Sequence, residues 1–316
     1  MSYFRDILTV INFNRPHYSV IPFIREIYKD FPHVVFYGDG DLQGPEHPGV
    51  IRCPQNGGFF AYRAMSDAMN RFPGYRGYLF VMDDVLLNIK NLLGKDKDRV
   101  WFPGLDPSCF MDVLNPHPAD WWAWESTFGL DKCRAAWEKF PEDCKERLQT
   151  TLKISNGFVG QHSDVYYIPG RLAGKWNVLA GILSVENVFH EIAIPTALCA
   201  IEDPGYWDVL NIKYLWGVGP DLCSFTGDRV RWRSFLRKDL EGLHPVKFSD
   251  PQNQDTARWF LAHADKKGFR TFYGGCRDIK ESLLRISCDL IGMRHYFFRW
   301  IKTGIKKILR RGRSRR

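Results

Sequence analysis

The sequence has no run of eighteen or more apolar residues, which predicts that it has no transmembrane helix. Its first residues lack the charged region, apolar run and cleavage site of a secretory signal peptide. The eight cysteines form no C-x-x-C pair, and no N-x-S/T sequon occurs. Nor is there a glycine-rich phosphate signature near the N-terminus. We therefore expect a protein of the reducing cytosol without a zinc site.

Positive charge is concentrated at one end of the chain. Residues 294–316 contain ten Lys or Arg and no acid, so the remaining 293 residues carry a net charge of −2 although the whole chain carries +8. Helical spacing places Phe298, Ile301, Ile305 and Ile308 on one face, as in helices that lie on anionic membranes. Nucleic-acid binding is the second alternative, but it would give that apolar face no role. A solvated basic tail is the third alternative.

The first half of the chain alternates strand-like and helix-like segments. Such alternation predicts an α/β fold with a mostly parallel central sheet and helices on both faces. Ligands of these sheets lie beyond the carboxyl ends of the strands, where Asn14, Asp39 and the pair Asp83-Asp84 are expected to converge. The predicted strands are 7–13, 33–39, 49–54 and 77–82, and the predicted helices are 15–31 and 57–72.

The second half is less regular, and its boundaries follow from composition. We expect one large body over 1–250, a helical extension over 251–288 and a basic amphipathic tail over 289–316. The elements expected from 131 onward are helix 131–153, strand 163–169, helix 184–201, a strand or loop at 246–250 and helix 251–269.

Two adjacent carboxylates, Asp83 and Asp84, follow the apolar run 77–82. Neighbouring negative charges repel unless they are solvated or bridged by a cation, and Mg²⁺ or Mn²⁺ prefers oxygen ligands shared with a substrate's phosphates. The alternative is a helix N-terminus, where Asp is favoured as a cap.

The stretch "GYLFVMDD" (77–84) resembles the Asp-x-Asp region of GT-A glycosyltransferases, which bind nucleotide-sugar diphosphates through a metal. Met82 departs from the pattern, because an Asp often stands there. The resemblance implies that Asp84 is the metal ligand and that Asp83 lies near the donor ribose or sugar.

A second stretch, "FHEIAIPTAL" (189–198), is similar to a segment of the exostosin-like family in which an acid begins a helix under the acceptor. This resemblance implies that Glu191 is the catalytic base, with Glu186 as the rival. An inverting transfer needs a carboxylate to take the acceptor hydroxyl's proton. Both glutamates could instead be exposed helix carboxylates.

Further residues are assigned by the same resemblance. In "LHPVKFSD" (243–250), His244 resembles a metal ligand that occurs late in the sequence of these families, and Lys247 resembles a residue that neutralises the diphosphate. A His-Pro turn followed by an exposed lysine is an equally good interpretation of this stretch. Arg63 is expected to contact the phosphate or the base of the donor. Asp39 is expected to accept a hydrogen bond from a uracil or, alternatively, to cap a turn.

Acceptor contacts are expected from two places. The tryptophans at 121, 122 and 124 suit either a platform for sugar rings or the core of a subdomain. The stretch "GFVGQHSDVYYIPG" (157–170) resembles the acceptor-side strand of these enzymes. The expected acceptor contacts are Trp121, Trp122, Trp124, His162, Asp164 and Tyr166.

Together these resemblances imply a metal-dependent, inverting GT-A glycosyltransferase that uses Mn²⁺ or Mg²⁺ and a UDP-sugar. Its catalytic domain would be 1–250, with the nucleotide-sugar half over 1–100 and the acceptor half over 101–250. Its acceptor would be a glycan or glycoconjugate, and its place the cytoplasm, peripheral on a membrane through 294–316. It is more like bacterial or large-virus enzymes than Golgi members of the group. A nucleotidyltransferase and a non-catalytic glycan-binding protein on the same fold are the alternatives.

Overall fold

A computed structural model describes residues 3–44, 46–118, 121–215 and 240–264, and every structural statement below concerns them. Within these ranges, no helix combines the length and hydropathy needed to cross a bilayer. The predicted tail 289–316 lies outside the described residues. The strands are β1 Ile7–Phe13, β2 Val34–Asp39, β3 Val50–Cys53, β4 Gly77–Met82, β5 Leu86–Leu87, β6 Trp101–Pro103, β7 Phe110–Asp112, β8 Gly157–Val159, β9 Val165–Pro169, β10 Asp208–Leu210, β11 Ile212–Tyr214 and β12 Gly242–His244.

The central sheet has the strand order β10-β6-β9-β4-β1-β2-β3. The strands β4, β1, β2 and β3 are parallel, and every residue of β1 and β4 is buried, as a sheet covered on both faces requires. The predicted α/β fold with a mostly parallel sheet is confirmed.

The helices are α1 Ile21–Ile27, α2 Tyr62–Arg71, α3 Leu130–Lys139, α4 Glu142–Leu152, α5 Ala173–Glu186, α6 His190–Ile201 and α7 Pro251–Ala264. The crossover from β1 to β2 and that from β3 to β4 run in opposite directions across the sheet. Because such crossovers are right-handed, α1 and α2 lie on opposite faces. On its face, α2 packs against both α5 and α6.

Strand β9 runs antiparallel to β4, so its start adjoins the end of β4. The Met82 N–H donates to the Asp164 carbonyl over 2.9 Å, which brings Asp164 beside the aspartate pair. A small sheet, β11-β12-β5, completes this corner. In it, β12 pairs antiparallel with β5, which begins two residues after Asp84, and Tyr214 of β11 lies in register with His244 of β12.

Several predicted elements differ from the structure. The single helix expected over 184–201 was wrong, because Asn187 takes a left-handed conformation (φ 58°) that ends α5 before α6 begins. The helix expected over 131–153 is likewise divided at Pro141, which cannot donate a backbone hydrogen bond. The segment 246–250 is a loop, one of its two expected forms.

Candidate active site

Asp83 and Asp84 lie at the carboxyl end of β4, at the centre of the sheet edge. The Asp83 N–H donates to the Asn12 carbonyl of β1 over 2.9 Å, which extends the strand pairing to the first aspartate. The Asp84 carbonyl accepts the Val246 N–H at 2.6 Å. Asp84 is therefore buried against the loop after β12, with 6% of its surface exposed.

His244 lies between two carboxylates that are far apart in sequence. Its Nε2 is 3.1 Å from Asp84 Oδ1 and 3.4 Å from Asp164 Oδ1. On the other side of Asp84, the Lys247 ammonium contacts Oδ2. The predicted residues Asp84, His244 and Lys247 are thus brought together, and Asp164, expected on the acceptor, joins them.

Burial and charge set the ionisation of this group. Burial would raise the pKa of Asp84, but His244 and Lys247 hold it well below its usual value. Burial likewise opposes charge on His244, yet Asp164 and Asp84 raise its pKa to about 9. Burial and the charge of Asp84 raise the pKa of Asp83 well above its ordinary value. Burial, with the carboxylate of Glu191, raises the pKa of Asp164.

The chemistry of Asp84 and His244 fits a divalent cation. Among the described residues no aligned hydrogen-bond donor reaches Asp84 Oδ1, although the imidazole nitrogen is only 3.1 Å away. Two ligand atoms of one octahedral ion are separated by about 3 Å when the metal–ligand distance is close to 2.1 Å. Carboxylate and imidazole both suit Mn²⁺.

A cavity of about 350 Å³ opens directly beside the aspartate pair. Its lining includes the predicted donor residues Asn14, Asp83 and Lys247. The exposed side chains of Arg15 and His17 also line it, and no sequence motif predicted a role for either residue. Arginine offers a fork of donors suited to phosphate oxygens, whereas Asp83 and Asp84 in the same lining would need a bridging cation beside an anionic ligand.

Glu191 lies in the first turn of α6 and is 92% buried. Its Oε1 lies 3.1 Å from His162 Nδ1, and its Oε2 is buried without a hydrogen-bond partner among the described residues. Ligand atoms of His162, Asp164 and Glu191 all lie within 4.8 Å of one another. Trp121 and Tyr214 pack against the His162 ring. Two predicted acceptor residues, His162 and Asp164, therefore lie beside the predicted base, and a third, Trp121, packs against His162.

Two predicted donor residues make contacts elsewhere. Arg63 donates from Nε to Ser184 Oγ (2.7 Å) and from Nη2 to the Ser184 carbonyl (2.8 Å), so its guanidinium joins α2 to the end of α5. The Asp39 carboxylate accepts the backbone N–H groups of Asp41, Gln55 and Gly57, and it therefore organises the turn after β3.

Four other predicted residues are dispersed. Tyr166 is fully buried and stacks on Phe80, while Trp124 is buried in the core. Trp122 is 57% exposed and packs its ring edge against Phe189. The rival base Glu186 ends α5 and pairs with Lys139, outside the cluster of His162, Asp164 and Glu191.

No protein-family model matches the chain. Over 150 residues, 46% of this chain, it is 23% identical to the probable glycosyltransferase STELLO1 of Arabidopsis thaliana, and over 194 residues, 61% of this chain, it is 22% identical to STELLO2 of the same plant. These matches span 19% and 24% of the two relatives. The predicted resemblance to glycosyltransferases is confirmed at this coarse level.

Two solved structures also show similarity. One is a glycosyltransferase involved in glycosylation of the major capsid of PBCV-1, with 10% identity, coverage of 80% of this chain and 98% of that one, and a TM-score of 0.39. The other is the apo form of the bifunctional glycosyltransferase WbbM, with 12% identity, coverage of 81% and 49%, and a TM-score of 0.40.

Proposed function

We propose that the protein transfers a sugar from a UDP-sugar to a hydroxyl of a glycan or glycoconjugate, on a site of the GT-A type. The observation that carries this proposal is the convergence of Asp84, His244 and Lys247 at the carboxyl edge of the parallel sheet, beside a cavity of about 350 Å³. The sequence similarity to two probable glycosyltransferases supports sugar transfer over other uses of such an edge.

The donor would occupy the cavity with its diphosphate towards Lys247. The ammonium of Lys247 and the guanidinium of Arg15 offset negative charge, and Asn14 offers hydrogen bonds to a ribose or sugar. Because charge on the diphosphate grows as the bond to the sugar breaks, these cations stabilise the transition state more than the ground state.

Asp84 and His244 would hold Mn²⁺ or Mg²⁺. When bound, the ion supplies positive charge that neutralises the diphosphate leaving group. The lysine that contacts Asp84 in this structure stands close enough to share that task.

Glu191 is the proposed base, and the proposed transfer inverts the configuration at the anomeric carbon. Its Oε2 takes the proton of the acceptor hydroxyl while that oxygen forms a bond to the anomeric carbon. The bond from that carbon to the diphosphate oxygen breaks at the same time, and its electron pair leaves with UDP. The burial of Glu191, and the unpartnered Oε2 atom, support this role over Glu186.

Residues 294–316 are proposed to hold the enzyme at an anionic membrane surface. The proposal is supported by their ten positive charges and by the apolar residues at helical spacing. The acceptor would then be presented at that surface.

The test compares Glu191→Gln with Glu186→Gln in an assay of UDP release from UDP-glucose, UDP-N-acetylglucosamine and UDP-xylose in Mn²⁺. We expect Glu191→Gln to lower turnover by about two orders of magnitude or more, a typical contribution of a general base, with UDP affinity nearly unchanged. Glu186→Gln should be close to wild type. The reverse order of effects would make Glu186 the base, and absence of Mn²⁺-dependent UDP release from all three donors would contradict the proposed activity.

A further inference from the structure

His162 contacts the proposed base in a defined geometry. Its Nδ1 lies 3.1 Å from Glu191 Oε1, and a carboxylate that acts as a base can only accept, so the proposed role of Glu191 requires the hydrogen on Nδ1. The backbone reinforces this contact, since the Gln161 N–H donates to the Glu191 carbonyl over 2.8 Å. The start of α6 is therefore tied to residues 161–162 through both main chain and side chain.

Two aromatic residues fix the imidazole itself. Tyr214 stacks on it with ring centroids 4.3 Å apart and planes inclined by 24°, and Trp121 meets it edge-on at 4.8 Å. Gly160 permits the approach of Trp121, because a Cβ at that position would lie 2.6 Å from Trp121 Cδ1. Such packing on two sides leaves the ring little freedom to turn away from Glu191.

We propose that His162 is a positioning residue for Glu191, an inference that rests on the proposed function. The terminal torsion of a glutamate is broad, so an unrestrained carboxylate samples many orientations. The hydrogen bond from His162 holds Oε1 and leaves the buried Oε2 directed to the acceptor hydroxyl or, without an acceptor, to water. A base held in this way is ready before the substrate arrives.

The same side chains offer a rival arrangement. Since the ligand atoms of His162, Asp164 and Glu191 lie within 4.8 Å of one another, a cation could bind there. Glu191 would then be a ligand and not a base. The existing 3.1 Å contact to His162 and the 3.4 Å contact of Asp164 to His244 favour separate pairs.

The experiment compares His162→Phe, which keeps a stacking ring but has no N–H, with His162→Gln, which keeps a donor. UDP release from the best of the three UDP-sugars in Mn²⁺ measures kcat and the donor KM. We expect His162→Phe to lower kcat by about 10- to 100-fold, the effect of a misplaced catalytic group, with little change in the donor KM. His162→Gln should recover part of that loss. His263→Phe is the matched control. Like His162, His263 stacks on an aromatic ring (Trp259 of α7, with ring centroids 4.6 Å apart), but it is not part of the cluster of His162, Asp164 and Glu191.

The outcomes separate this inference from the function on which it rests. Equal kcat for wild type and His162→Phe, or equal loss in the Phe and Gln variants, would overturn the positioning role alone. Two bound Mn²⁺ per wild-type chain, one of them lost in His162→Phe, would also overturn it in favour of a cation at His162. A wild-type protein that releases no UDP from any of the three donors would overturn both.

Discussion

Asp83, Asp84, Asp164 and His244 share one buried edge of the sheet, so the charge of each depends on the others. The two carboxylates beside His244 raise its pKa to about 9, and a cation bound there would displace that proton, because only neutral imidazole is a ligand. Asp84 stays ionised, whereas the pKa values of Asp83 and Asp164 are raised. Groups with opposite shifts in one cleft are a pattern typical of functional sites.

His190, next to Glu191, allows a test of burial at the level of one residue. Burial lowers its pKa to about 4, whereas in the unfolded chain its pKa should lie near the ordinary value of 6.5. Between these values only the unfolded state binds the proton, so His190 destabilises the fold progressively as pH falls from 6.5 towards 4. We expect wild type to lose on the order of 1 kcal/mol more unfolding free energy than His190→Asn between pH 7 and pH 5. Urea unfolding of both proteins at the two pH values measures this, and parallel losses would contradict it.

Among the helices, α2 and α5 are joined by the guanidinium of Arg63. Its Nη2 donates to Asn187 Oδ1 over 3.0 Å, in addition to the two bonds to Ser184. Arg63→Ala removes these bonds, and we expect the free energy of unfolding to fall by about 1–3 kcal/mol while UDP affinity in Mn²⁺ is unchanged. Chemical unfolding and calorimetry measure the two quantities.

The opposite result is equally informative for Arg63. A large loss of UDP affinity with unchanged unfolding free energy would restore the donor contact implied by the family resemblance. Arg71→Ala is the matched control, because Arg71 ends the same helix and pairs with Asp67 on an exposed face.

Elements with a simple pattern could be predicted from the sequence, and the others could not. Strands β1 and β4 were predicted with their observed bounds, because each is an apolar run that ends at polar residues. Helix α5 was missed over most of its length, because Val178 and Val185 on its exposed side obscure the helical spacing of its buried residues. Its end at Asn187 depends on a left-handed conformation that Asn tolerates but does not require.

Residue patterns alone locate the site only where its residues are local, and the pairing of Asp84 with His244 was implied only by the family resemblance. The adjacent pair Asp83-Asp84 follows one strand, so a single pattern located it. The meeting of Asp84 with Asp164 and His244 depends on the antiparallel insertion of β9 and on the pairing of β12 with β5, which join distant segments. Arg15 has no local motif, and only the cavity draws attention to it.

At the scale of the whole molecule, the positive charge of 294–316 and the net charge of −2 on the remaining residues predict binding to a membrane through that segment. Truncation after Cys288 removes all ten positive charges of 294–316, each worth about 1 kcal/mol near an anionic surface. We expect the full chain to sediment with phosphatidylserine-containing vesicles and the truncated chain to stay in solution, with UDP release unchanged. Salt should weaken binding, because screening limits the range over which these charges act to roughly 8 Å at physiological ionic strength.

A matched variant separates charge from the apolar face of the tail. Replacing Phe298, Ile301 and Ile305 by serine keeps every charge, so residual binding to anionic vesicles would measure the electrostatic part. Equal sedimentation of the full chain with neutral phosphatidylcholine vesicles would contradict that part. No sedimentation with either lipid would contradict the proposed binding of 294–316 to a membrane surface.

The central claim is that Asp84 helps to hold a divalent cation against the diphosphate of the donor. Calorimetric titration of UDP into wild type, Asp84→Asn and the control Asp131→Asn, each with Mn²⁺ and with a chelator, tests it most directly. Asp131 is a suitable control because its side chain is 89% exposed on α3. We expect Mn²⁺-dependent UDP binding in wild type and Asp131→Asn, and at least about a tenfold weaker affinity in a folded Asp84→Asn, because the site loses an anionic ligand. Equal UDP affinity in all three proteins in Mn²⁺ would contradict it.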